Sequence, residues 1–352
     1  MILIFDPIPS VLRFCTIENN NLTESNCVFD SQWQTKILEI IPDQKKLDAI
    51  GYFIYHGGEE IKEPISTINN ELLMKLEKII GFLPESNDII YKIAKHLFTF
   101  MPGVRHLLLC DTAFFIDLPT EASTYAVPFV LRKKGIRRYG GYGLCHQWAF
   151  QQINSPAGAQ FKKVISIYLG DNTNIAAIMN GQPFETSIGF TPIEGILSSN
   201  GCGDLDPTII FQLISNGFSL EDINNILSRE SGFTGLMEEQ TDYLSVIKNS
   251  EKPMKNFVKE VFKYNIQKYI GAFISILGGI DSIVFTSRYL DESIEFIMEL
   301  CQSFSFLGLK CKVPSYRDSS IISIDDQNSS VKVFCLRYNK WEILKEKIIS
   351  NN

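Results

Sequence analysis

Four short stretches of this 352-residue chain carry residues that could do chemistry. YHGGEE (55–60) sets His56 and two glycines behind an apolar run, and CDTAFF (110–115) sets Asp111 directly after HLLLC. LGDNTN (169–174) holds Asp171 and Asn172 after VISIYL, and TSRYLDES (286–293) holds Arg288 after SIVFT. A carboxylate fixed at a strand end can be a general base or a metal ligand, because the strand holds it rigidly with its oxygens free. The same Asp can equally be an Asx-turn or a helix cap, and His56 can equally bond its own loop. A fifth stretch, YGGYGLCH (139–146), follows Gly-Ile-Arg-Arg and is open enough to meet a phosphate or a carboxylate. Where such a loop would carry its reactive group it holds Tyr142, which donates a hydrogen bond but no positive charge.

The elements that must position these residues are legible as runs. ILIF (2–5), LRFCTI (12–17), YFIY (52–55), HLLLC (106–110), VISIYL (164–169), SIVFT (282–286) and VKVFCL (331–336) read as buried strands. Helical period fills the gaps. NNELLMKLEKIIGF (69–82) opens on an Asn cap and DIIYKIAKHLFTF (88–100) on Asp88. DPTIIFQLISNG (206–217), SLEDINNILSRESG (219–232), residues 253–274 and residues 292–308 complete the set. Strands alternating with helices indicate an α/β protein with helices packed on mixed sheets, and such folds bind ligands at strand ends. The Gly-rich passage from GIRRYGGYGLCH to SPAGAQ, near 135–160, is the candidate boundary.

Bulk composition narrows the function. A chain this long is expected to form two domains. A net charge of −7, with no long run of Lys or Arg, argues against a nucleic-acid partner. The start, MILIFDPIPSVLRF, lacks a basic leader, so no signal peptide is expected. The most apolar stretch (269–285) contains three glycines and Asp281, and reads as a helix end running into a buried strand, with no membrane span. Eight scattered cysteines without a CxxC pair read as small buried residues in a reducing cytoplasm, and four histidines give no zinc spacing.

Taken in order, the motifs resemble the acetate kinase family, which phosphorylates acetate, propionate or butyrate. ETSIGFTPIEG (185–195) is similar to the family's D-T-S-M-G-F-T-P-L-E-G, and GDLDP (203–207) to its G-D-I-D-P. YHGG resembles V-H-G-G, CDTAFF resembles F-D-T-A-F-H, and GIRRYGGYGLCH resembles G-I-R-R-Y-G-F-H-G-T-S-H. ESGFTGL (230–236) and KYIGAFISILGGIDSIVFT (268–286) extend the likeness over almost the whole chain. The resemblance implies an α/β fold of two actin-like (ribonuclease H-like) domains around a nucleotide cleft. The first would take 1–111 plus 340–352 and the second 112–339. It also implies Mg2+ and ATP as cofactors if the chain is active, a short-chain carboxylate as substrate, and a homodimer.

Carried over residue by residue, the resemblance places Asp111, Tyr142 (at the His position) and Gly201 (at an Arg position) at the catalytic positions. Phe53 (at the other Arg position) and His56 fall at the substrate. Arg13, Leu169, Gly170, Asp171, Asn172 and Asp242 fall at the nucleotide, and Asp6 at the metal. The departures are selective. The phosphate-cradling turn becomes Pro7, Ile8, Pro9, Ser10 and Val11, and two prolines remove backbone donors. SRYLDE (287–292) replaces a glycine loop, Leu244 replaces the nucleotide-binding Arg, and a C-terminal Glu falls at Asn339 or Lys340. Phosphoryl transfer to a carboxylate needs positive charge around two anions, so these losses cost several orders of magnitude in rate. The sequence therefore reads as a degenerate family member with a binding or regulatory role. The alternative is an active ATP-dependent kinase that uses Arg13, Arg137, Arg138 and Arg288 in a rearranged geometry.

Overall fold

The computed structural model describes residues 1–8, 11–41, 46–155, 160–248, 251–314 and 319–351. Pro9 and Ser10 of the N-terminal turn, and 156–159 of the Gly-rich passage, lie outside the described residues. The chain divides into two compact units.

The first unit comprises Met1–Ile116, Gly141–Leu144 and Asn339–Asn352. Its sheet uses β1 (Ile2–Ile8), β2 (Val11–Glu18), β3 (Asn21–Val28), β4 (Ala49–Ile54), β5 (Ile65–Thr67) and β6 (Arg105–Cys110), in the order β3-β2-β1-β4-β6-β5. Strands β1, β4 and β6 are parallel, and the others pair antiparallel. Antiparallel register sets Asp6 of β1 opposite Arg13 of β2, a cross-strand pair of opposite charge. Strand β2 turns into β3 through Asn19 and Asn20, at φ 50° and 67°. Two successive left-handed residues make the tight hairpin turn that matches strand twist, and Asn tolerates them better than most residues.

Alternation along the strands gives this sheet two apolar faces. Ile50, Tyr52 and Leu108 pack against Leu72, Leu76, Ile90, Ile93 and Leu97 of the helices Asn70–Lys78 and Pro84–Phe100. Ile4, Phe53, Leu107 and Leu109 face Trp341, Leu344 and Ile348 of the helix Lys340–Ser350. Asn69 caps its helix as expected, accepting from the Leu72 N–H at 2.8 Å. Asp88 does not open the next helix. That helix begins four residues earlier at Pro84, whose missing N–H costs nothing in the first turn, and Asp88 pairs with Lys92 at 2.6 Å.

The second unit comprises Asp117–Gly140 and Cys145–Tyr338. Its sheet uses β7 (Lys163–Tyr168), β8 (Asn174–Met179), β9 (Gln182–Thr186), β10 (Ser282–Ser287), β11 (Ile321–Ser323) and β12 (Lys332–Arg337), in the order β11-β12-β10-β7-β8-β9. The helices Pro253–Leu277 and Leu290–Gln302 bury Phe262, Ile266, Ile270 and Ile297 against Ile165, Ile167, Ile283 and Phe285. The longer helix ends at Gly278, φ 64°, and β10 follows at Ser282, so the 269–285 stretch is a helix end and a buried strand. Among the described residues no helix is long and apolar enough to cross a membrane. Behind β7 and β8, His146 is buried, 2.8 Å from Ser166 Oγ and 2.6 Å from Asn174 Oδ1. Burial pushes its imidazole down to about 4, so the ring is neutral at pH 7. The cysteines are free thiols, but only Cys15, Cys110, Cys145, Cys301 and Cys335 are buried. Cys27, Cys202 and Cys311 are half-buried, so the expectation of a core role for all eight was too broad.

Candidate active site

The carboxyl ends of β4 and β6 and the start of the 340–350 helix gather the charged residues of the first unit. Asp6 is fully buried, yet it has a partner on each oxygen. Its Oδ1 accepts from Tyr55 Oη at 2.9 Å and from Lys340 Nζ at 2.8 Å, and its Oδ2 is held by Arg13 Nη2. The Tyr55 hydroxyl, one residue past β4, completes a closed knot. While donating to Asp6, it accepts from Arg13 at 3.1 Å and from Lys340 at 3.2 Å, which uses its one proton and both lone pairs. Lys340 Nζ also lies 3.6 Å from the ring centre of Phe53 and 4.6 Å from that of Tyr55. Burial pulls the lysine below its ordinary value, and Asp6 opposes that pull. Replacing Asp6 by Asn is expected to cost about 1–3 kcal/mol, because it leaves two cations facing each other without their counter-charge. In a cycle with Lys340→Met, urea denaturation should give a coupling of about 1–2 kcal/mol; additive effects would mean the knot is energetically idle.

Asp111 follows β6 and is also buried. Its Oδ2 accepts from the Tyr142 N–H at 2.6 Å and its Oδ1 from the Leu144 N–H at 3.2 Å, so the carboxylate closes the first turn of the helix Gly143–Asn154. Tyr142 reaches this position with φ 57°. Gly143 follows because any Cβ there would strike the Asp111 carbonyl and sit 2.7 Å from Phe114 Cβ. Burial raises the Asp111 carboxyl to about 6, against the pull of the Leu144 and Tyr142 N–H groups and of Lys340. Phe53 is a core residue of β4, edge-on to Tyr55 at 4.9 Å. His56 is buried, stacks on Phe82 at 4.7 Å, and accepts from the Gly58 N–H at 3.1 Å.

The remaining candidates lie in the second unit. Leu169 is core, and its N–H bonds the Thr286 carbonyl at 2.8 Å. The Gly170 N–H donates to Thr173 Oγ1 at 3.1 Å, and Asn172 is exposed, its carbonyl accepting from Asn174 Nδ2 at 3.1 Å. Asp171 accepts from Ser199 Oγ at 2.7 Å and from the Tyr243 N–H at 2.9 Å, tying two loops together. Asp242 caps the helix Tyr243–Ile247 by accepting from the Ser245 N–H at 2.8 Å. Gly201 is buried, and its N–H donates to Ser198 Oγ at 2.7 Å. Arg288 is exposed and stacks over Tyr289.

The family-like motifs are braced by bonds of their own. Glu194 of TPIEG takes the Tyr125 hydroxyl and the Arg138 guanidinium, the latter at 2.8 Å. Asp204 of GDLDP accepts from the Gly195 N–H at 3.1 Å and from Tyr269 Oη at 2.7 Å. Arg138 is therefore committed to an ion pair within its own unit. Of the two residues at the C-terminal Glu position, Asn339 caps the last helix through the Trp341 and Glu342 N–H groups, and Lys340 meets Asp6. Sequence reasoning did not single out Tyr55. Its signal was available, since it is the first polar group past a buried strand.

A divalent metal ion does not fit the residues at Asp6. Both carboxylate oxygens are engaged, the neighbouring charge is an ammonium, and among the described residues no cluster of three His, Cys, Asp or Glu could hold a metal.

Comparison with known proteins agrees with the motif reading. Residues 24–345 match the acetokinase family. The acetate kinase of Thermosipho africanus is 33% identical over 311 residues, covering 85% of this chain and 76% of the relative. That of Fervidobacterium nodosum is 32% identical over 300 residues, covering 83% and 70%. The fold matches the crystal structure of Porphyromonas gingivalis acetate kinase with a TM-score of 0.86 at 23% identity, covering 99% and 98% of the two chains. A propionate kinase from Francisella tularensis matches with a TM-score of 0.84 at 21% identity, covering 97% of each. The α/β fold is thus the two-domain actin-like one. On sequence and fold together, the chain belongs to the acetate kinase (acetokinase) family.

Proposed function

We propose that this chain is a degenerate member of its family, folded like a carboxylate kinase but with little or no phosphoryl transfer, and that it acts by binding. The observation that carries this reading is the closed knot of the first unit. Asp6 and Tyr55 are fully engaged by Arg13, Lys340 and each other, and Asp111 gives both oxygens to backbone N–H groups. Both cations a transition state would have to recruit are already paired with a carboxylate of the fold. The exposed Arg288, stacked on its neighbour, supports the same reading. The direct test is hydroxamate trapping of acyl phosphate from ATP with acetate, propionate and butyrate; the expected result is background only. An active short-chain carboxylate kinase using Mg2+ and ATP is the competing reading, and turnover in that assay would establish it. The functional domains in this proposal are 1–111 plus 340–352 and 112–339.

A homodimer is part of the proposal. The helix Thr208–Ser215 of the second unit is apolar yet has no buried residue, and its surroundings expose Ile209, Phe211 (65%), Ile214, Phe218 and Leu220 (76%). Exposed apolar side chains gathered on one helix and the turn after it suit a self-complementary contact. Sedimentation equilibrium should give twice the chain mass for wild type and a monomer for Phe211→Glu; a wild-type monomer at about 10 μM would refute it, because an obligate dimer is tighter.

A further inference from the structure

Relatives in this family depend on Mg2+, whereas the Asp6 cluster does not fit it. We propose that the Lys340 ammonium is a built-in replacement for the divalent cation, so that the first unit carries its own positive charge at Asp6 and binds no Mg2+ there. This goes beyond the question of activity and holds whether or not the chain transfers phosphoryl.

Three observations carry it. Oxygen bookkeeping at Asp6 is complete, with Oδ1 shared by Lys340 and Tyr55 and Oδ2 taken by Arg13. A magnesium ion needs direct oxygen contact at about 2.1 Å and would have to strip bonds from a carboxylate with no access to water. The other carboxylate of the region, Asp111, aims both oxygens at the Tyr142 and Leu144 N–H groups. Lys340 is also fixed in an unusual place. It is the first residue of its helix, directly after the Asn339 cap, where the positive end of the helix dipole disfavours a cation. A lysine held there, over the faces of Phe53 and Tyr55, is compensated by Asp6. Removing the ammonium would leave Arg13 as the one cation on Asp6, which relieves about half of the repulsion a small divalent ion meets there.

The test uses Mn2+ alone as the probe, read by water-proton relaxation enhancement, so no activity is required. Wild type and Asp6→Asn should give the same enhancement, which means that no ion sits at Asp6. Lys340→Met should gain Mn2+ binding about severalfold, and about a hundredfold or more when Arg13→Met is added, because each positive charge within about 4 Å of Asp6 repels a divalent ion strongly at any dielectric found in proteins. The gain should vanish in Asp6→Asn/Lys340→Met. Where Lys340→Met fails to fold, Lys340→Gln keeps a donor for Asp6 and drops the charge. The proposal is overturned if wild type binds Mn2+ at millimolar or tighter and Asp6→Asn abolishes it. It is equally overturned if a folded, neutral Lys340 variant gains nothing.

Discussion

Incubated with ATP and acetate, propionate or butyrate in turn, the wild-type protein is expected to form no acyl phosphate above background, against about 1–100 per second for working kinases. The loss is built into the backbone as well as the side chains. Tyr142→His places an imidazole at a left-handed position that histidine tolerates, but it should stay inactive, because groups acting on one centre give little when restored singly. Phe53→Arg would set a guanidinium where the Phe53 ring now lies 3.6 Å from the Lys340 ammonium. Gly201→Arg would bring its Cβ to 2.8 Å from Ser198 Oγ, the acceptor of the Gly201 N–H. The triple variant should therefore recover at most a trace. Wild-type turnover at about one per second or faster, lost in folded Asp111→Asn, would sink the degenerate reading.

Asp111→Asn should also change stability, with a pH dependence whose sign is fixed. The amide oxygen can serve only one of the Tyr142 and Leu144 N–H groups, so about 1–3 kcal/mol is lost where the other meets an NH2 group. In wild type the folded carboxyl titrates at about 6, above its ordinary 3.8, because it is buried. The folded state therefore holds this proton more tightly than the unfolded chain. That contribution is fully present below about pH 4 and is lost as pH rises through 6, a change of at most about 3 kcal/mol. Urea denaturation at pH 4.5 and 7.5 should show wild type gaining on Asp111→Asn at the lower pH. A difference that does not move with pH would mean the carboxyl is not held in a desolvated place.

Strands that are buried on both faces were plain in the sequence. YFIY, HLLLC, VISIYL and SIVFT became β4, β6, β7 and β10 because continuous apolar runs have few other uses. Strand β3, NLTESNCV, was not legible, since an exposed edge strand is polar along its length and its pairing comes from β2 and the Asn19–Asn20 turn. Strands β5 and β11, of three residues each, are too short to show a period. At the candidate site, Asp111 was legible as a strand-end carboxylate, and its alternative as a cap was open from the start. The pairing of Asp6 with Lys340 was not legible, since it joins residues at opposite ends of the chain and depends on the last helix lying along the first sheet.

That last helix has a consequence for biosynthesis. Strands β1, β4 and β6 are complete by Cys110, but one face of their sheet is covered by Trp341, Leu344 and Ile348. At roughly 5–20 residues per second, a ribosome needs some tens of seconds to travel from one point to the other. Throughout that interval Ile4, Phe53, Leu107 and Leu109 lack the cover of the last helix, and Asp6 lacks its lysine. The first unit is begun first and finished last, so its maturation depends on whatever shields an apolar sheet face on a growing chain.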